Sequence, residues 1–321
     1  MEPVLYITVP CYNEEEVLPE TSRRLSEKLE GLISAGRISE NSRVLFVNDG
    51  SSDGTWDIIA KLHSENRLID GIGLSRNRGH QNALLAGISE SAKRADAIIS
   101  MDADLQDDIN AVDKMLDKFS EGCEVVYGVR SSREKDSGFK RGTARLFYKF
   151  MSMMGAEMVY DHADYRLLSK RAAEALEGFG EVNLFLRGII PLIGFKSDKV
   201  YYERGERFAG KSKYPLKKMI AFALDGITSF SVKPLRIICG VGCLMAIISL
   251  GFLIKAIVDH YTGNAEIGWP SLMCSIWFIG GVQTICIGVI GEYIGKIYGE
   301  TKHRPRFIID KKLIHHDDSS E

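Results

Sequence analysis

The chain has 321 residues, 45% of them hydrophobic, which is enough for one large domain or two modest ones. Its formal net charge is −2, so no overall basic field indicates a nucleic-acid partner. The six cysteines form no CxxC pair and no metal-ligand spacing. This pattern argues against a disulfide framework and predicts reduced, mostly buried thiols in a reducing compartment.

Short apolar runs alternate with helix-like stretches through the first third of the chain. The runs predicted as strands are Val4–Val9, Arg43–Val47, Asp70–Leu74 and Ala95–Met101. The helices predicted between them end near Leu32, His63 and Ser91. This alternation predicts an α/β fold with an open, doubly wound, mainly parallel sheet. Ligands of such sheets bind at the carboxyl ends of the strands, where the polar clusters of this sequence fall.

One polar cluster, Asp102-Ala103-Asp104-Leu105-Gln106, follows the fourth predicted strand. Two carboxylates and an amide at alternating positions are hard oxygen ligands, which suit Mg²⁺ or Mn²⁺ carrying a diphosphate. The alternative is a helix-capping turn, because the next residues, Asp107-Asp108, resemble an N-terminal cap. The residues alone leave both interpretations open.

Two further polar turns follow the first and second predicted strands, at Pro10–Glu14 and Asn48–Asp53. An aromatic ring can stack on a base, and carboxylates can bind base and ribose edges, so these turns can hold a nucleoside. The alternative for Asn48-Asp49-Gly50 is an ordinary tight turn, which the residue types alone favour.

The last third of the chain contains two uncharged apolar runs, Ile237–Ile254 and Trp269–Gly291. Each is close to the ~20 residues that cross a bilayer, and the alternative is a pair of buried core helices. Lysines and arginines flank the pair, whereas the connecting segment Asp259–Gly268 contains neither. The positive-inside rule therefore places both ends in the cytoplasm. The N-terminal stretch has no basic n-region and is not expected to be a signal peptide.

Three other segments have distinct patterns. Ser131–Lys140 is polar and is predicted to be a mobile loop. Pro215–Ser231 has spaced apolar residues beside lysines, which predicts an amphipathic helix on the membrane surface, with an ordinary surface helix as the alternative. His315–Glu321 is predicted to be a disordered tail.

Taken in order, the polar clusters resemble glycosyltransferase family 2. The matching stretches are Pro10–Glu14, Asn48–Thr55, Asn77–Ala83 and Asp102–Gln106. Within that family the chain resembles, over nearly its whole length, the polyprenyl-phosphate branch, which includes bactoprenol glucosyltransferases and dolichol-phosphate mannose synthases. The resemblance implies a GT-A fold followed by amphipathic interface helices and two transmembrane helices. The expected divisions are a cytoplasmic catalytic domain (1–214), a juxtamembrane helix (215–232), a transmembrane hairpin (233–298) and a cytoplasmic tail (299–321).

The resemblance also implies roles for individual residues. The residues expected to bind the nucleotide-sugar are Pro10, Tyr12, Glu14, Asp49, Asp102, Ala103, Arg207 and Lys213. Those expected to hold the metal are Asp102, Asp104 and Gln106, and those expected at the acceptor phosphate are Arg130 and Arg133. A juxtamembrane patch attracted to anionic lipid is a compatible interpretation of the basic segment Arg207–Lys213.

The candidate catalytic residue is Asp164, with Asp161 as the nearby alternative. It lies in Ala163-Asp-Tyr-Arg-Leu167, where the family usually has Gly and Phe in place of Ala163 and Tyr165. Asp164 would either act as a base or position the acceptor.

The implied reaction is the inverting transfer of one sugar, with glucose from UDP-glucose the leading donor, to polyprenyl (undecaprenyl) phosphate for cell-envelope glycosylation. Mg²⁺ or Mn²⁺ is the implied cofactor, the membrane is a partner, and a homo-oligomer such as a tetramer is compatible with the resemblance. UDP-N-acetylglucosamine, UDP-galactose and GDP-mannose are alternative donors. A processive polysaccharide synthase is disfavoured because the sequence has no Gln-x-x-Arg-Trp motif, and a non-catalytic scaffold because the acidic and basic positions are intact.

Overall fold

The computed structural model describes residues 2–131, 162–181, 185–203, 205, 232–262 and 268–315. They belong to two compact units. The first unit contains the described residues up to 205 together with those from Arg304 onward, and the second contains the rest. The predicted loop beyond Ser131, the predicted amphipathic helix and the tail beyond His315 lie outside the described residues.

The first unit is built on one eight-stranded mixed sheet with helices packed on it. Its strands are β1 (Leu5–Cys11), β2 (Arg43–Asn48), β3 (Ile69–Leu74), β4 (Ala97–Ser100), β5 (Val125–Arg130), β6 (His162–Ser169), β7 (Ser197–Tyr202) and β8 (Ile309–Leu313). Its helices are α1 (Leu18–Ser34), α2 (Thr55–Glu65), α3 (His80–Ala92), α4 (Ala111–Ser120), α5 (Lys170–Glu177) and α6 (Leu186–Leu192).

The strand order is β7-β5-β6-β4-β1-β2-β3-β8. The pairs β1–β2, β1–β4, β2–β3 and β5–β7 are parallel, whereas β6 runs antiparallel to β4 and β5, and β8 antiparallel to β3. Strands β1 to β4 are buried along their whole length, which is why their sequences are nearly continuous apolar runs. The predicted α/β fold with a mainly parallel sheet is confirmed.

Helix α3 packs directly against the sheet at a glycine. A side chain at Gly87 would collide with the methyl group of Thr8 on β1 and would lie 2.8 Å from Val47 on β2. The hydroxyls of Thr8 and Ser91, which are 3.0 Å apart, add a buried contact between the same two elements. This packing fixes the first residue of α3, His80, relative to the carboxyl ends of the strands.

Strand β8 comes from the part of the chain that was expected to be a tail. Residues Ile309–Leu313 instead pair with the edge of β3. Next to them, the ring of His315 stacks on that of His63 with 3.8 Å between centroids, and the His315 amide donates to the buried carboxylate of Asp70 at 2.9 Å. Both imidazoles also bond to the backbone, His63 Nδ1 to the carbonyl of Ile69 at 2.6 Å and His315 Nε2 to that of His63 at 3.1 Å. The contacts fasten the end of the described chain to the sheet.

The second unit contains two long helices, α7 (Lys233–Thr262) and α8 (Trp269–Thr301). Both are long and apolar enough to cross a membrane, with qualifying windows at Lys233–Phe252 and Phe278–Thr301. None of either window is buried within the protein, so the alternative of two buried core helices is wrong. Large apolar side chains such as Phe252 and Ile285 are more than two-thirds exposed (68% and 69%), which is expected of helices whose solvent is lipid.

Candidate functional site

The turns after β1 and β2 are tied together at the carboxyl edge of the sheet. Asn13, with a positive φ of 55°, accepts a bond from the Ser52 amide at 2.9 Å and donates its own amide to Ser51 Oγ at 3.0 Å. The Glu14 amide donates to Thr55 Oγ1 at 3.0 Å. These hydrogen bonds leave the side chain of Tyr12 49% exposed, and stacking on a base requires such an exposed ring.

Asp49, at the end of β2, is a buried anchor for the turn before α3. Its two carboxylate oxygens accept the backbone amides of Arg78 and Gly79 at 2.7 and 2.9 Å. Gly50 has a φ of +64°, and a side chain there would lie 2.5 Å from the backbone nitrogen of Asn77. Burial raises the pKa of Asp49, and the two backbone bonds oppose that shift. Asp49 therefore holds the Asn77–Gly79 turn, while the remaining lone pairs of its oxygens can still accept a ligand donor.

The Asp102–Gln106 segment follows β4 and has a constrained backbone. Its second residue, Ala103, is buried, and the Ala103 carbonyl accepts the hydroxyl of Thr21 on α1 at 2.8 Å. Leu105 has a φ of +57°, a conformation that costs a non-glycine residue about 1–2 kcal/mol. Asp104 Oδ1 accepts the Gln106 amide at 3.2 Å. The segment thus forms a fixed turn with two carboxylates and an amide side chain on it, beside a cavity of about 630 Å³ that Leu105 and Gln106 help to line.

Asp107 does not cap a helix, contrary to the capping interpretation of Asp107-Asp108. Helix α4 begins with Asn110 at its cap position, and no side chain caps it. Asp107 is buried, and its Oδ1 accepts the hydroxyl of Tyr202 on β7 at 2.5 Å. The Nε of Arg130, at the end of β5, lies 3.4 Å from the same hydroxyl. Burial raises the pKa of Asp107 to about 6.

His80 joins the Asp102–Gln106 turn to Asp164 on β6. Its Nε2 lies 3.5 Å from Asp102 Oδ1 and 3.5 Å from Asp164 Oδ2. Burial favours the neutral imidazole, but the hydrogen bond with Asp164 and the charge of Asp102 prevail and raise the pKa of His80. The pKa of Asp102 is itself raised, first by burial and then by the charges of Asp164 and Asp104. Carboxylates crowd this end of the sheet, with one imidazole between two of them.

Two guanidinium groups bind the carboxylate of Asp164. Arg166, fully buried, donates to Oδ1 at 2.6 Å. Arg187 on α6 donates from Nε to Oδ1 at 3.2 Å and from Nη2 to Oδ2 at 3.0 Å. Burial favours the neutral acid, but His80, Arg166 and Arg187 hold the pKa of Asp164 well below its usual value. The lowered pKa favours the ionised carboxylate, which has two guanidinium groups and an imidazole around it.

The structure describes some of the predicted site residues and not others. Asp102 and Asp164 meet at His80, and the segments that carry Pro10, Tyr12, Glu14 and Asp49 are tied to one another or to the turn before α3. Arg130, expected at the acceptor phosphate, contacts the hydroxyl of Tyr202. Arg133, Arg207, Lys213 and the alternative Asp161 lie outside the described residues.

Four residues of the site had no binding or catalytic role assigned from the sequence. They are His80, Arg187, Tyr202 and Asp107. Arg187 was the easiest of these to recognise from the sequence, because it is a lone charge in the apolar stretch Leu184–Phe195. A charge in such a stretch needs a partner, which is a usable signal.

Comparison with known proteins agrees with this arrangement. The model for glycosyl transferase family 2 matches residues 6–176, which includes the strand ends up to Asp164, and the model for the GtrB C-terminal hairpin matches residues 233–297. Three similar relatives each align with almost the whole chain. They are an uncharacterized glycosyltransferase, YkoT, of Bacillus subtilis (52% identity, 97% of this chain, 93% of the relative), the bactoprenol glucosyl transferase of Shigella phage SfV (40%, 94%, 97%) and a prophage bactoprenol glucosyl transferase homolog of Escherichia coli K12 (39%, 95%, 98%).

The family match covers more than half of the chain and the relatives cover nearly all of it, so the resemblance drawn from the sequence motifs is confirmed. Non-catalytic explanations of the sheet and its acidic turn lose their support. The chain belongs to glycosyl transferase family 2: it is a glycosyltransferase with a GT-A fold that carries a GtrB-type hairpin of two apolar helices.

Proposed function

We propose that this glycosyltransferase moves one glucose from UDP-glucose to polyprenyl phosphate, with inversion at the anomeric carbon. The observation that carries the proposal is the 40% identity with a bactoprenol glucosyl transferase over 94% of the chain, which spans the sheet and the hairpin alike. The exposed apolar helices support it, because an acceptor with a long polyprenyl chain stays in the bilayer.

The Asp102–Gln106 turn fits a divalent cation. Its donor set is two carboxylates and an amide oxygen, which suits Mg²⁺ or Mn²⁺. The pKa of Asp102 is raised by burial and by the neighbouring charges of Asp164 and Asp104, and a cation bound there would relieve that repulsion. Asp102, Asp104 and Gln106 would hold it. When bound, the ion supplies charge stabilisation for the departing diphosphate.

The nucleoside would lie against the two hydrogen-bonded turns that follow β1 and β2. Tyr12 offers an exposed ring, and Glu14 and Asp49 offer oxygen acceptors beside it, with Pro10 shaping the turn. Ala103, whose carbonyl Thr21 fixes, would line the sugar-diphosphate side. Arg207 and Lys213 stay predicted contacts to the diphosphate.

The acceptor needs positioning more than activation, because a phosphate monoester is already ionised near neutral pH. Arg130, with Arg133 as its predicted neighbour, would bind that phosphate through the planar fork that arginine offers. A phosphate oxygen would then attack the anomeric carbon from the side opposite the leaving UDP. One displacement of this kind inverts the anomer, so an α-linked donor gives a β-linked product.

Asp164 acts in this scheme as a positioning residue. A general base needs a pKa near the working pH, whereas His80, Arg166 and Arg187 keep the pKa of this carboxyl well below its ordinary value. Both of its oxygens already accept bonds from guanidinium groups. Its contribution is to hold those groups where the reacting phosphates pass.

The order of the chain supports a hairpin whose two ends lie on one side of the membrane. The apolar helices α7 and α8 fall between β7 and β8, and both strands belong to the same sheet. A chain that leaves a sheet and returns to it must cross a bilayer an even number of times. The lysines and arginines that flank the two apolar runs support the cytoplasm as that shared side.

An assay of membranes containing the protein tests the proposal. Membranes would be supplied with polyprenyl phosphate and a panel of labelled donors: UDP-glucose, UDP-N-acetylglucosamine, UDP-galactose and GDP-mannose. The expected result is label in the lipid fraction with UDP-glucose above the other donors. If another donor labels the lipid more than UDP-glucose does, the proposed sugar is wrong. If label appears only in water-soluble products, the proposed acceptor is wrong.

A further inference from the structure

We infer that Arg187 is a phosphate-binding residue of the active site, held in place by Asp164. The inference rests on the proposed function, in which two phosphate-bearing substrates meet at this end of the sheet. Its ligand chemistry is a phosphate oxygen, supplied either by the lipid acceptor or by the diphosphate of the donor.

The backbone of Arg187 is fixed from two sides. It is the second residue of α6, whose Leu186, Ile189 and Ile190 are buried. The Leu186 amide donates to Gln81 Oε1 at 3.1 Å, which ties the start of α6 to the start of α3. The position of Arg187 is therefore set by the same elements that set His80.

The guanidinium is oriented as well as anchored. Its Nε and Nη2 bond to the two oxygens of Asp164 at 3.2 and 3.0 Å, which fixes the plane of the fork. The side chain is nevertheless 32% exposed, whereas Arg166 on the same carboxylate is fully buried. Arg166 has the burial of a structural partner, and Arg187 has the exposure of a group that can meet a ligand.

The charges around Arg187 favour an anionic ligand. Asp164 carries one negative charge and faces two guanidinium groups, while the imidazole of His80 is shared between Asp164 and Asp102, so Asp164 does not by itself neutralise the cations bound to it. Arg187 and His80 both contact Asp164 Oδ2. His80 in turn lies 3.5 Å from Asp102 in the predicted metal turn, so Arg187 is close to the expected position of the diphosphate. A guanidinium between a metal-bound diphosphate and an incoming phosphate would bind either group with charge-assisted hydrogen bonds.

The test compares Arg187→Gln and Arg187→Lys with a matched surface control, Arg171→Gln. Arg171 also pairs with a carboxylate, Glu124, at 2.6 Å, but it is 66% exposed and lies on α5. All variants are full-length protein in detergent. One arm measures initial rates against polyprenyl phosphate concentration, and the other measures UDP binding with Mn²⁺ by calorimetry.

For Arg187→Gln, we expect either the KM for polyprenyl phosphate or the Kd for UDP to rise about tenfold or more. A raised KM for polyprenyl phosphate assigns the ligand to the acceptor, and a raised Kd for UDP assigns it to the donor. Arg187→Lys, which keeps the charge without the fork, should fall between wild type and Arg187→Gln, and Arg171→Gln should match wild type.

The inference is overturned if both binding constants of both Arg187 variants stay within about twofold of wild type, even if kcat falls, because a purely structural partner of Asp164 behaves that way. Should Arg187→Gln fail to fold, Arg187→Lys decides by the same criterion. A wild-type enzyme that ignores polyprenyl phosphate would refute the proposed function, while the UDP arm would still decide the role of Arg187.

Discussion

Arg166 donates to Asp164 at 2.6 Å across two residues of β6, and its own side chain is completely buried. A buried arginine must keep its anion, because an unpaired guanidinium in the interior costs several kcal/mol. This relationship commits Asp164 to the ionised state before any substrate arrives. We therefore expect Asp164 to position the arginines that bind it, and not to accept a proton during the reaction.

The pH profile of turnover should therefore contain no ionisation of Asp164. Its pKa is held well below the ordinary value, so it stays ionised throughout the range in which the enzyme can be assayed. Asp164→Asn should lower kcat/KM strongly at every pH and leave the shape of the profile unchanged. An acidic limb that is present in wild type and vanishes in Asp164→Asn would show instead that Asp164 takes a proton.

Replacing Asp49 by Asn should loosen the turn before α3. The carboxylate accepts two backbone amides, those of Arg78 and Gly79, and an Asn side chain has one oxygen to offer. The lost bond should cost about 1–3 kcal/mol of stability. Hydrogen exchange should increase in the peptide containing Arg78 to His80. Asp57→Asn, on the exposed side of α2, is the control and should leave exchange there unchanged; equal exchange in both variants would refute the anchoring role.

Replacing Tyr202 by Phe should weaken acceptor binding more than donor binding. The hydroxyl of Tyr202 lies between Asp107, at 2.5 Å, and Arg130 Nε, at 3.4 Å, and its loss leaves a buried carboxylate without that donor. Arg130 should lose its fixed position, so the KM for polyprenyl phosphate should rise about three- to tenfold while UDP affinity changes little. A change in UDP affinity alone would mean that Arg130 serves the donor.

The contribution of β8 to stability should depend on pH, because Lys312 on β8 pairs with the carboxylate of Glu90. Burial raises the pKa of this carboxyl, but Lys312 on β8, Lys93 and Arg94 together lower it from 4.5 to about 2. A carboxyl with a lowered pKa in the folded state stabilises the protein above its unfolded pKa, and this stabilisation disappears as the pH falls through the folded value.

Glu90→Gln should therefore lower the unfolding temperature at about pH 7 and have little effect at about pH 2, with about 1–3 kcal/mol lost at the higher pH. Thermal unfolding in detergent at the two pH values measures this. Glu65→Gln removes an exposed pair with Lys61 and should change little at either pH. A deficit of the same size at both pH values for Glu90→Gln would contradict the account.

The sequence was most informative where burial is complete. Strands β1 to β4 have both faces covered, so their apolar runs are nearly unbroken, and the polar turns that follow them mark the edge at which ligands bind. Asp102, Asp104 and Asp49 stood out as candidates at that edge, and their predicted roles came from the resemblance to the family. The close approach of His80 to Asp164 could not be read in the same way, because it joins residues 84 positions apart through the packing of Gly87 on Thr8.

Strand β8 shows the opposite limit. Its sequence, Ile-Asp-Lys-Lys-Leu, is short and charged, as is common for edge strands, and nothing local distinguishes it from a solvated tail. It becomes a strand because the edge of β3 offers unpaired backbone groups and because His315 and Lys312 find Asp70 and Glu90. These partners lie more than 200 residues away, beyond the reach of pattern analysis.

The most direct measurement is identification of the product made by purified enzyme from UDP-glucose, polyprenyl phosphate and Mn²⁺ or Mg²⁺. Mass and NMR spectra should show a single β-linked glucose on the lipid phosphate, and Asp104→Asn, which removes one carboxylate of the acidic turn, should yield none while remaining folded. Glucose transferred only to water-soluble acceptors, an α-linked product, or an unchanged yield from Asp104→Asn in the presence of a chelator would contradict the central claim.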